Sequence, residues 1–349
     1  MPAHLSTSTR GALCGLAAAA LFGLSAPLAK PLLQATSPLT LAGLLYVGGG
    51  LALAVASVLR GRTGEAALQR SDVPRLGLLI LFGGILGPVL MLLALQRTSA
   101  SSVSLLLNLE GPFTLALAAL AFGEHVGWRG LAALLAVVAG AVLLGLPSGP
   151  VHTPLAATLC VAGACLAWGL DNNLTRSLSL RDPVALVRTK TLGAGACMLC
   201  VSLLSHAAWP GWRTTLLALL LGAASYGTSI LLDAYALRLL GAARESAYFA
   251  TAPFLGALGA VVLLSEKLLP TTLLAGAVMA LGVWLLLSER HHHAHTHQAL
   301  LHEHRHVHDA HHQHAHQEPV TEPHSHPHAH ASLTHDHPHV PDAHHHHRH

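Results

Sequence analysis

The stretch from Phe22 to Lys30 (FGLSAPLAK) has a counterpart 146 residues later, from Trp168 to Arg176 (WGLDNNLTR). Both begin aromatic-Gly-Leu, continue with three variable residues and a leucine, and end on a basic residue. Each closes an apolar segment, and other apolar segments recur at nearly the same offset. Internal duplication within an apolar chain is typical of secondary transporters, which are built from repeated bundles of membrane helices.

The composition indicates a membrane protein. Of the 349 residues, 52% are hydrophobic and only 10% are charged, with a mean hydropathy of +0.52. A typical soluble domain is about 25% charged, so these few charges cannot cover a surface that faces water. The net charge of +3 gives no reason to expect nucleic acid as a partner. All five cysteines lie in apolar segments, so we expect no disulfide framework.

Ten segments are apolar and long enough to cross the hydrocarbon core, which takes roughly 20 residues per helix. They cover residues 12–33, 39–59, 76–95, 101–122, 128–146, 155–174, 183–204, 214–236, 246–264 and 271–287. The predicted fold class is an all-α integral membrane protein. The first segment resembles a secretory signal, but its counterpart in the second half favours retention in the mature chain.

Lys and Arg are unevenly divided between the loops. With the N-terminus in the cytoplasm, the inside loops hold eleven of these residues and the outside loops four, as the positive-inside rule requires. Ten spans return the C-terminus to the cytoplasm. Because each half has an odd number of spans, the halves lie in opposite orientations. We expect one five-helix repeat over 11–146, a second over 155–287, and a separate tail over 288–349.

The fourth and ninth segments share a motif. Residues 109–113 read LEGPF and are followed by an apolar run and Gly-Glu; residues 251–254 read TAPF and are followed by an apolar run and Ser-Glu. On this motif and the duplication, the chain resembles the drug/metabolite transporter superfamily and, within it, the EamA family, whose pattern is Leu-Glu-Pro, an apolar run and Gly-Glu. Here Gly111 occupies the usual place of the proline, and Ala252 stands where the first half has Glu110.

The resemblance covers residues 11–289. It implies a ten-helix bundle in two inverted halves and transport of a small metabolite or drug-like solute, with export as the direction. It does not extend to the tail.

Glu110 is the leading candidate for a solute or proton site, because an ionisable side chain inside a span is costly and usually faces a cavity or a partner. It lies near the middle of the fourth segment, beside Gly111 and Pro112, which loosen the helix. Ser104 and Asn108 share one face of this helix. The alternative is a protonated glutamate that is bonded to a neighbouring helix.

The second half contributes further polar candidates. Asp171 and Asn172 end the sixth segment, where they either line a central cavity or cap the helix at the surface. Arg188 and Lys190 either bind an anionic group, pair with Asp171 or Glu110, or snorkel to the interface. For Lys190 snorkelling is the favoured interpretation. Tyr226 lies midway along the eighth segment, where it either makes a structural hydrogen bond, the favoured interpretation, or contributes to the cavity wall.

Another group of residues marks helix breaks and span ends, and we interpret it as a set of gate or hinge positions: Gly111, Pro112, Pro253, Glu124 and Glu266.

The composition changes completely after Arg290. The last 59 residues hold 25 of the 29 histidines, with several prolines and no apolar periodicity, so we predict disorder. Neutral imidazoles bind transition metals, and we expect collective Zn, Ni, Co or Cu binding by residues that include His291, His292, His293, His295, His297, His302, His304, His306 and His308. A physiological metal role, a pH-responsive tail and compositional drift remain open.

The expected function is secondary transport, in the export direction, of a small organic solute across the bacterial inner membrane by alternating access, with proton coupling open. The alternative is a Ni, Co or Zn transport or tolerance protein that uses the tail as a collector or sensor. We expect no enzyme and no required cofactor, because no nucleophile–base pair or phosphate loop is visible. The expected partners are the bilayer, the solute, and protons or divalent metals; a monomer and a homodimer both remain open.

Overall fold

The computed structural model describes residues 7–61, 65–122, 127–146, 153–178, 181–240, 242–288, 294–297, 300–306, 324–330 and 333–336. Within these residues, ten helical stretches are long and apolar enough to cross a membrane. In chain order, spans 1 to 10 are Thr9–Leu32, Pro38–Arg60, Arg70–Leu95, Ala100–Leu120, Trp128–Gly145, Leu155–Thr175, Pro183–Leu204, Trp212–Leu237, Arg244–Leu264 and Pro270–Leu287. The predicted all-α membrane protein is confirmed.

Span 3 begins earlier than its apolar run predicts, at Arg70 rather than at residue 76. The reason is a capping box at its first turn. The backbone N–H of Gln69 donates to the Asp72 carboxylate at 2.8 Å, and the Gln69 side chain accepts a bond from the Asp72 backbone. These reciprocal bonds satisfy helix donors that are otherwise unpaired, so the polar turn joins the helix.

Five spans are single α-helices: Pro38–Arg60, Trp128–Gly145, Leu155–Arg176, Pro183–Leu204 and Pro270–Leu287. The other five are interrupted. Span 1 consists of Thr7–Gly23 and Ser25–Leu32, and span 9 of Ala242–Phe249 and Ala252–Leu264. Span 4 consists of Ala100–Leu106, a 3-10 turn Leu107–Leu109, and Glu110–Phe122. Span 3 consists of a 3-10 turn Arg70–Asp72, a helix Val73–Leu79, a π-helical turn Ile80–Leu86 and a helix Gly87–Leu95. Span 8 consists of a helix Trp212–Gly222, a π-helical turn Ala223–Thr228 and a helix Ser229–Leu240.

These interruptions repeat between the halves. Spans 3 and 8 are counterparts and both contain a π-helical turn, while spans 4 and 9 are counterparts and both break before a proline. Pro112 and Pro253 lie in the first turn of the helix that follows each break, where a proline removes no helical hydrogen bond. Short π-helical turns occur often at functional sites, so the four breaks indicate where to look for one.

The two halves pack together through counterpart helices. Span 2 lies along span 7, and span 5 lies along span 10. Small residues permit the close approach: a Cβ at Gly195 would lie 3.0 Å from the carbonyl oxygen of Gly43, and one at Gly140 would lie 3.1 Å from that of Ala275. Lipid provides no hydrophobic driving force between membrane helices, so close van der Waals contact of this kind holds them together.

Four short strands lie in the tail: β1 (Ala294–His297), β2 (Leu300–His306), β3 (His324–His330) and β4 (Leu333–Asp336). β1 pairs with β4 and β2 with β3, both antiparallel. The sequence predicts disorder here, and the structure differs at these strands because the His-x-His repeats have the two-residue period of a strand. A ladder of only two strands is marginally stable in water, and disorder in the rest of the tail stays a prediction.

Candidate functional site

The backbone carbonyl of Gly83 lies in the π-helical turn of span 3. It accepts a hydrogen bond from the Tyr46 hydroxyl at 2.9 Å and one from the Trp168 indole N–H at 3.2 Å. A Cβ at Gly83 would collide with the carboxylate of Asp171. The turn therefore brings together spans 2, 3 and 6 around one polar point inside the bundle.

Asp171 forms an ion pair with Lys190 of span 7. The Nζ atom of Lys190 lies 2.8 Å from Oδ2 of Asp171, and the two side chains are only 16% and 7% exposed. Oδ1 of Asp171 is buried and has no hydrogen-bond partner. The snorkelling predicted for Lys190 is wrong, because its charge is held by Asp171. The surface cap proposed for Asp171 is also wrong, because helix Leu155–Arg176 continues past it.

Glu110 faces the same part of span 6. The Nδ2 atom of Asn172 donates to Oε1 of Glu110 at 2.9 Å, and also to the Thr114 hydroxyl at 3.4 Å. Glu110 is the first residue of the helix that follows the 3-10 turn of span 4. The Cys165 thiol of span 6 donates to the backbone carbonyl of Leu106 at 3.8 Å. Leu106 is the last residue before the 3-10 turn.

A row of aromatic rings extends from this centre toward spans 1, 8 and 9. The rings of Tyr46 and Tyr226 have centroids 5.2 Å apart, those of Phe22 and Tyr226 6.0 Å, and those of Phe22 and Phe249 5.4 Å. Tyr226 lies in the π-helical turn of span 8, so both π-helical turns contribute to the same region. The sequence singles out Tyr226 but gives no signal for Tyr46, which lies in an apolar helix among glycines.

Other predicted site residues lie apart from these contacts. The Asn108 amide donates within its own turn, to the Leu105 carbonyl at 2.8 Å. The Ser104 hydroxyl is buried without a hydrogen-bond partner, against span 9 at Gly256. Among the described residues, the Arg188 guanidinium has no ion pair or side-chain hydrogen bond. The structure therefore joins Glu110, Asp171 and Asn172, and adds Lys190 and Tyr46.

Glu266 closes one end of the bundle, which we call the Glu266 face. Its carboxylate accepts the backbone N–H groups of Ala100 at 2.7 Å and Ser101 at 2.9 Å, and the Ser101 hydroxyl at 2.7 Å. Nζ of Lys30 lies 3.3 Å from Oε1 and donates to the Thr98 carbonyl at 2.6 Å. Glu266 thereby caps the N-terminus of span 4 and links it to spans 1 and 9.

The pKa of Glu266 lies below its ordinary value of 4.5. Burial by itself raises the pKa of this carboxyl, but the backbone donors of Ser101 and Ala100, the Ser101 hydroxyl and the charge of Lys30 together outweigh burial. The carboxylate is therefore ionised at neutral pH, which suits a position at the positive end of a helix.

The opposite end, the Arg181 face, is held by a different contact. The Arg181 guanidinium binds Asp72 in a bidentate manner, with Nε 2.9 Å from Oδ2 and Nη2 3.3 Å from Oδ1. The backbone N–H of Asp182 donates to the Ala66 carbonyl at 2.8 Å. A cavity of about 550 Å³ lies between these loops, with Glu65 and Arg75 also in its wall. Sequence inspection missed this pair, since neither residue lies in a motif.

Spans 4 and 9 pack together more closely at the Glu266 face than at the Arg181 face. Helix Ala100–Leu106 of span 4 packs against helix Ala252–Leu264 of span 9. The counterpart segments at the Arg181 face, Glu110–Phe122 and Ala242–Phe249, do not pack to a comparable extent over the described residues. Asn172 is exposed although it lies inside a span.

Some predicted residues cannot be placed. Glu124, His291, His292, His293 and His308 lie outside the described residues, and only the backbone of the tail strands is described. Within the described part of the chain, no three His, Cys, Asp or Glu side chains group together as a metal site.

Comparison with known proteins agrees with this architecture. The sequence model of the EamA-like transporter family matches residues 9–146 and again residues 155–288. The chain belongs to the EamA-like transporter family. An uncharacterized transporter from Methanothermobacter thermautotrophicus is 28% identical over 283 residues, which are 76% of this chain and 82% of the relative.

A solved crystal structure resembles the bundle with a TM-score of 0.59 at 22% identity. It covers 80% of this chain and 98% of the solved one, and at this identity it shows the fold alone. The family and the relative make this EamA-like protein a multi-pass membrane transporter. The resemblance drawn from the sequence is confirmed.

Proposed function

We propose that this EamA-like protein is a secondary transporter that exports a small organic solute, and that the solute binds at Glu110. The observation that carries the proposal is the position of Glu110: its carboxylate lies inside a span, at a helix break, and its hydrogen-bond partner is the exposed amide of Asn172. Ionisable groups inside a membrane are retained where they bind solutes or protons. No enzymatic activity is part of the proposal.

Alternating access explains the difference between the two faces. The positive-inside count favours the Arg181 face as cytoplasmic and the Glu266 face as external. The closed Glu266 face and the exposed Asn172 then correspond to an inward-facing transporter that is ready to load solute from the cytoplasm. Release to the outside requires the Glu266 contacts to Ala100, Ser101 and Lys30 to separate. The helix breaks in spans 1, 3, 4, 8 and 9 provide places for this movement.

Proton coupling is proposed at Glu110, because a carboxyl group inside a span can bind either a proton or solute. The test uses purified protein in proteoliposomes with a solute identified from metabolite profiles of cells with and without the chain. We expect Glu110→Gln to abolish pH-dependent transport. Retention of full, pH-dependent transport by this variant would contradict proton coupling at Glu110.

Transport of a transition metal is the second candidate, and its support is the histidine-rich tail. The described part of the bundle offers no metal site, so the candidate depends on the tail alone. Deletion of residues 291–349 tests it through cellular nickel, cobalt and zinc content. Unchanged metal accumulation and tolerance would favour an organic solute, whereas a marked change would favour the metal.

A further inference from the structure

The loop between spans 7 and 8 forms an apolar groove with the start of span 8. Span 7 ends at Leu204 and span 8 begins at Trp212. Because successive spans cross in opposite directions, this loop lies at the Glu266 face. The groove has a volume of about 350 Å³, at the lower end of the range of about 300–1,000 Å³ for ligand pockets. Its wall consists of Trp209, Pro210, Trp212, Thr215, Leu216 and Leu219.

The wall of the groove is apolar and yet exposed. Trp209 is 47% exposed, Trp212 72% and Leu216 48%. The Thr215 hydroxyl is used by the backbone, since it donates to the carbonyls of Pro210 at 3.3 Å and Gly211 at 3.2 Å. Tryptophan is enriched where a membrane meets water, because its ring is apolar and its indole N–H can reach polar headgroups. The groove therefore lies at the depth of the lipid headgroups.

A cation without an anionic partner lies beside this groove. The Cζ atom of Arg213 lies 5.4 Å from the centroid of the Trp212 ring, and Arg213 is exposed. Its guanidinium makes no ion pair or hydrogen bond with the described residues, whereas Lys30 at the same face is paired with Glu266. A guanidinium matches a phosphate group well, because it donates two parallel hydrogen bonds. The groove and Arg213 together suit a ligand with an apolar body and a phosphate.

We propose that this groove binds an anionic phospholipid from the leaflet at the Glu266 face, with an acyl chain against Trp209 and Leu216 and the phosphate at Arg213. Charge complementarity favours a headgroup of net negative charge, because a zwitterionic headgroup brings a cation of its own to Arg213. A second copy of this chain fits less well, since a two-fold interface would place both copies of Arg213 in one contact. The inference goes beyond the proposed export and does not depend on it.

The groove is connected to the interior of the bundle through Leu219. A Cβ at Gly48 of span 2 would collide with the Leu219 carbonyl, so the wall of the groove includes a residue at a close contact between spans 2 and 8. The helix that carries Leu219 continues into the π-helical turn with Tyr226. A ligand that binds only the folded chain stabilises it by mass action. Anionic lipid is therefore expected to stabilise this contact.

The experiment measures quenching of tryptophan fluorescence in phosphatidylcholine proteoliposomes that contain the full chain. Trp128 and Trp284, which are 71% and 62% exposed, are replaced by phenylalanine, so that Trp209 and Trp212 are the exposed indoles that remain. Brominated phosphatidylglycerol and brominated phosphatidylcholine with the same acyl chains are added at equal small mole fractions. We expect the groove to prefer phosphatidylglycerol about fivefold, and the preference to shrink in high salt because salt screens exposed charges.

Two matched variants assign the preference to one residue. We expect Arg213→Gln to quench equally with both lipids. Arg97→Gln should keep the preference, since Arg97 is an exposed cation at the same face whose guanidinium donates to the Leu93 carbonyl at 3.0 Å. Circular dichroism and thermal melting confirm that both variants are folded.

Three outcomes would overturn the inference. The first is equal quenching by the two brominated lipids in the chain with Arg213 intact. The second is loss of the preference in Arg97→Gln with retention in Arg213→Gln. The third is a dimer, seen by analytical ultracentrifugation, whose formation removes quenching by both lipids; it would assign the groove to a second copy of this chain. Each of them leaves the transport proposal intact, because the proposed solute site is at Glu110.

Discussion

The Nζ atom of Lys190 lies 2.8 Å from Oδ2 of Asp171, inside the bundle and against the π-helical turn of span 3. A buried pair of this kind is expensive to break, because the partner that remains is a charge without compensation. Lys190 is thereby held by Asp171, while the side-chain partner of Glu110 is the Asn172 amide.

Removal of one partner of this pair is expected to be costly. We predict that Asp171→Asn or Lys190→Met alone lowers the free energy of unfolding by about 3–5 kcal/mol, while the double variant recovers a large part of that loss. Thermal melting in detergent measures both. Lys267→Met is the control, since Lys267 is exposed. Additive losses in the double variant would show that the two charges do not stabilise each other.

Gly83 is predicted to tolerate no side chain. A Cβ there would collide with the Asp171 carboxylate, whereas a Cβ at Gly77 of the same span has no atom within 4 Å. We expect Gly83→Ala to lower stability by about 1–3 kcal/mol and to impair transport. Gly77→Ala should be neutral or stabilising by up to about 1 kcal/mol. Similar melting temperatures for the two variants would contradict the close packing at Gly83.

The Glu266 contacts are predicted to hold the external end closed. Ser104 is only 1% exposed. A cysteine at this position, Ser104→Cys, therefore reports opening of the external end in a chain whose native cysteines have been replaced. We expect Glu266→Gln to raise labelling by an impermeant maleimide several-fold, because the span 4 cap and the Lys30 pair weaken together. Unchanged labelling would show that this end is closed by apolar packing alone. Glu65→Gln is the control, at the other end of the bundle.

The same labelling is predicted to depend on pH in a defined direction. The pKa of Glu266 is lower in the folded protein than its ordinary value of 4.5, so its contribution to closure is complete above that value. It is lost as the pH falls through the lowered pKa. The thiolate is the species that reacts with maleimide, so labelling is compared with that of a small free thiol at the same pH. On that scale, labelling of Ser104→Cys should be flat from about pH 7 to pH 5 and rise only in more acid solution. A rise that begins near neutrality would point to a different titrating group.

The guanidinium of Arg181 is predicted to stabilise the protein in a way that a lysine ammonium cannot. It binds both oxygens of Asp72, which is buried, and lysine cannot reproduce the two parallel bonds. We expect Arg181→Lys to lower stability by about 1–3 kcal/mol. Arg75→Lys, at an exposed position in the same region, should change it little. Equal melting curves for these two variants would show that the Arg181 contact stabilises the protein no more than a surface ion pair does.

Some residues of the candidate site can be predicted from the local sequence pattern and others cannot. Glu110 was accessible from the sequence, because a carboxyl group in an apolar segment beside Gly111 and Pro112 is unusual whatever surrounds it. For Lys190 the sequence leaves a pair with Asp171 or Glu110 open but favours snorkelling, because the depth of Lys190 is compatible with both and its partner is on another helix. The sequence gives no signal for Tyr46 for the same reason: the carbonyl that it binds lies on another helix, in the π-helical turn of span 3.

The sequence by itself determined the class, the number of spans and the duplication. These depend on composition and on regular apolar runs, because lipid requires each span to satisfy its own backbone. The tertiary structure alone decided the partners of the charges. Lys190 and Asp171 are 19 residues apart, Arg181 and Asp72 are 109, and Lys30 and Glu266 are 236. Such pairs depend on helix rotation and on packing between different helices, which no local run of residues encodes.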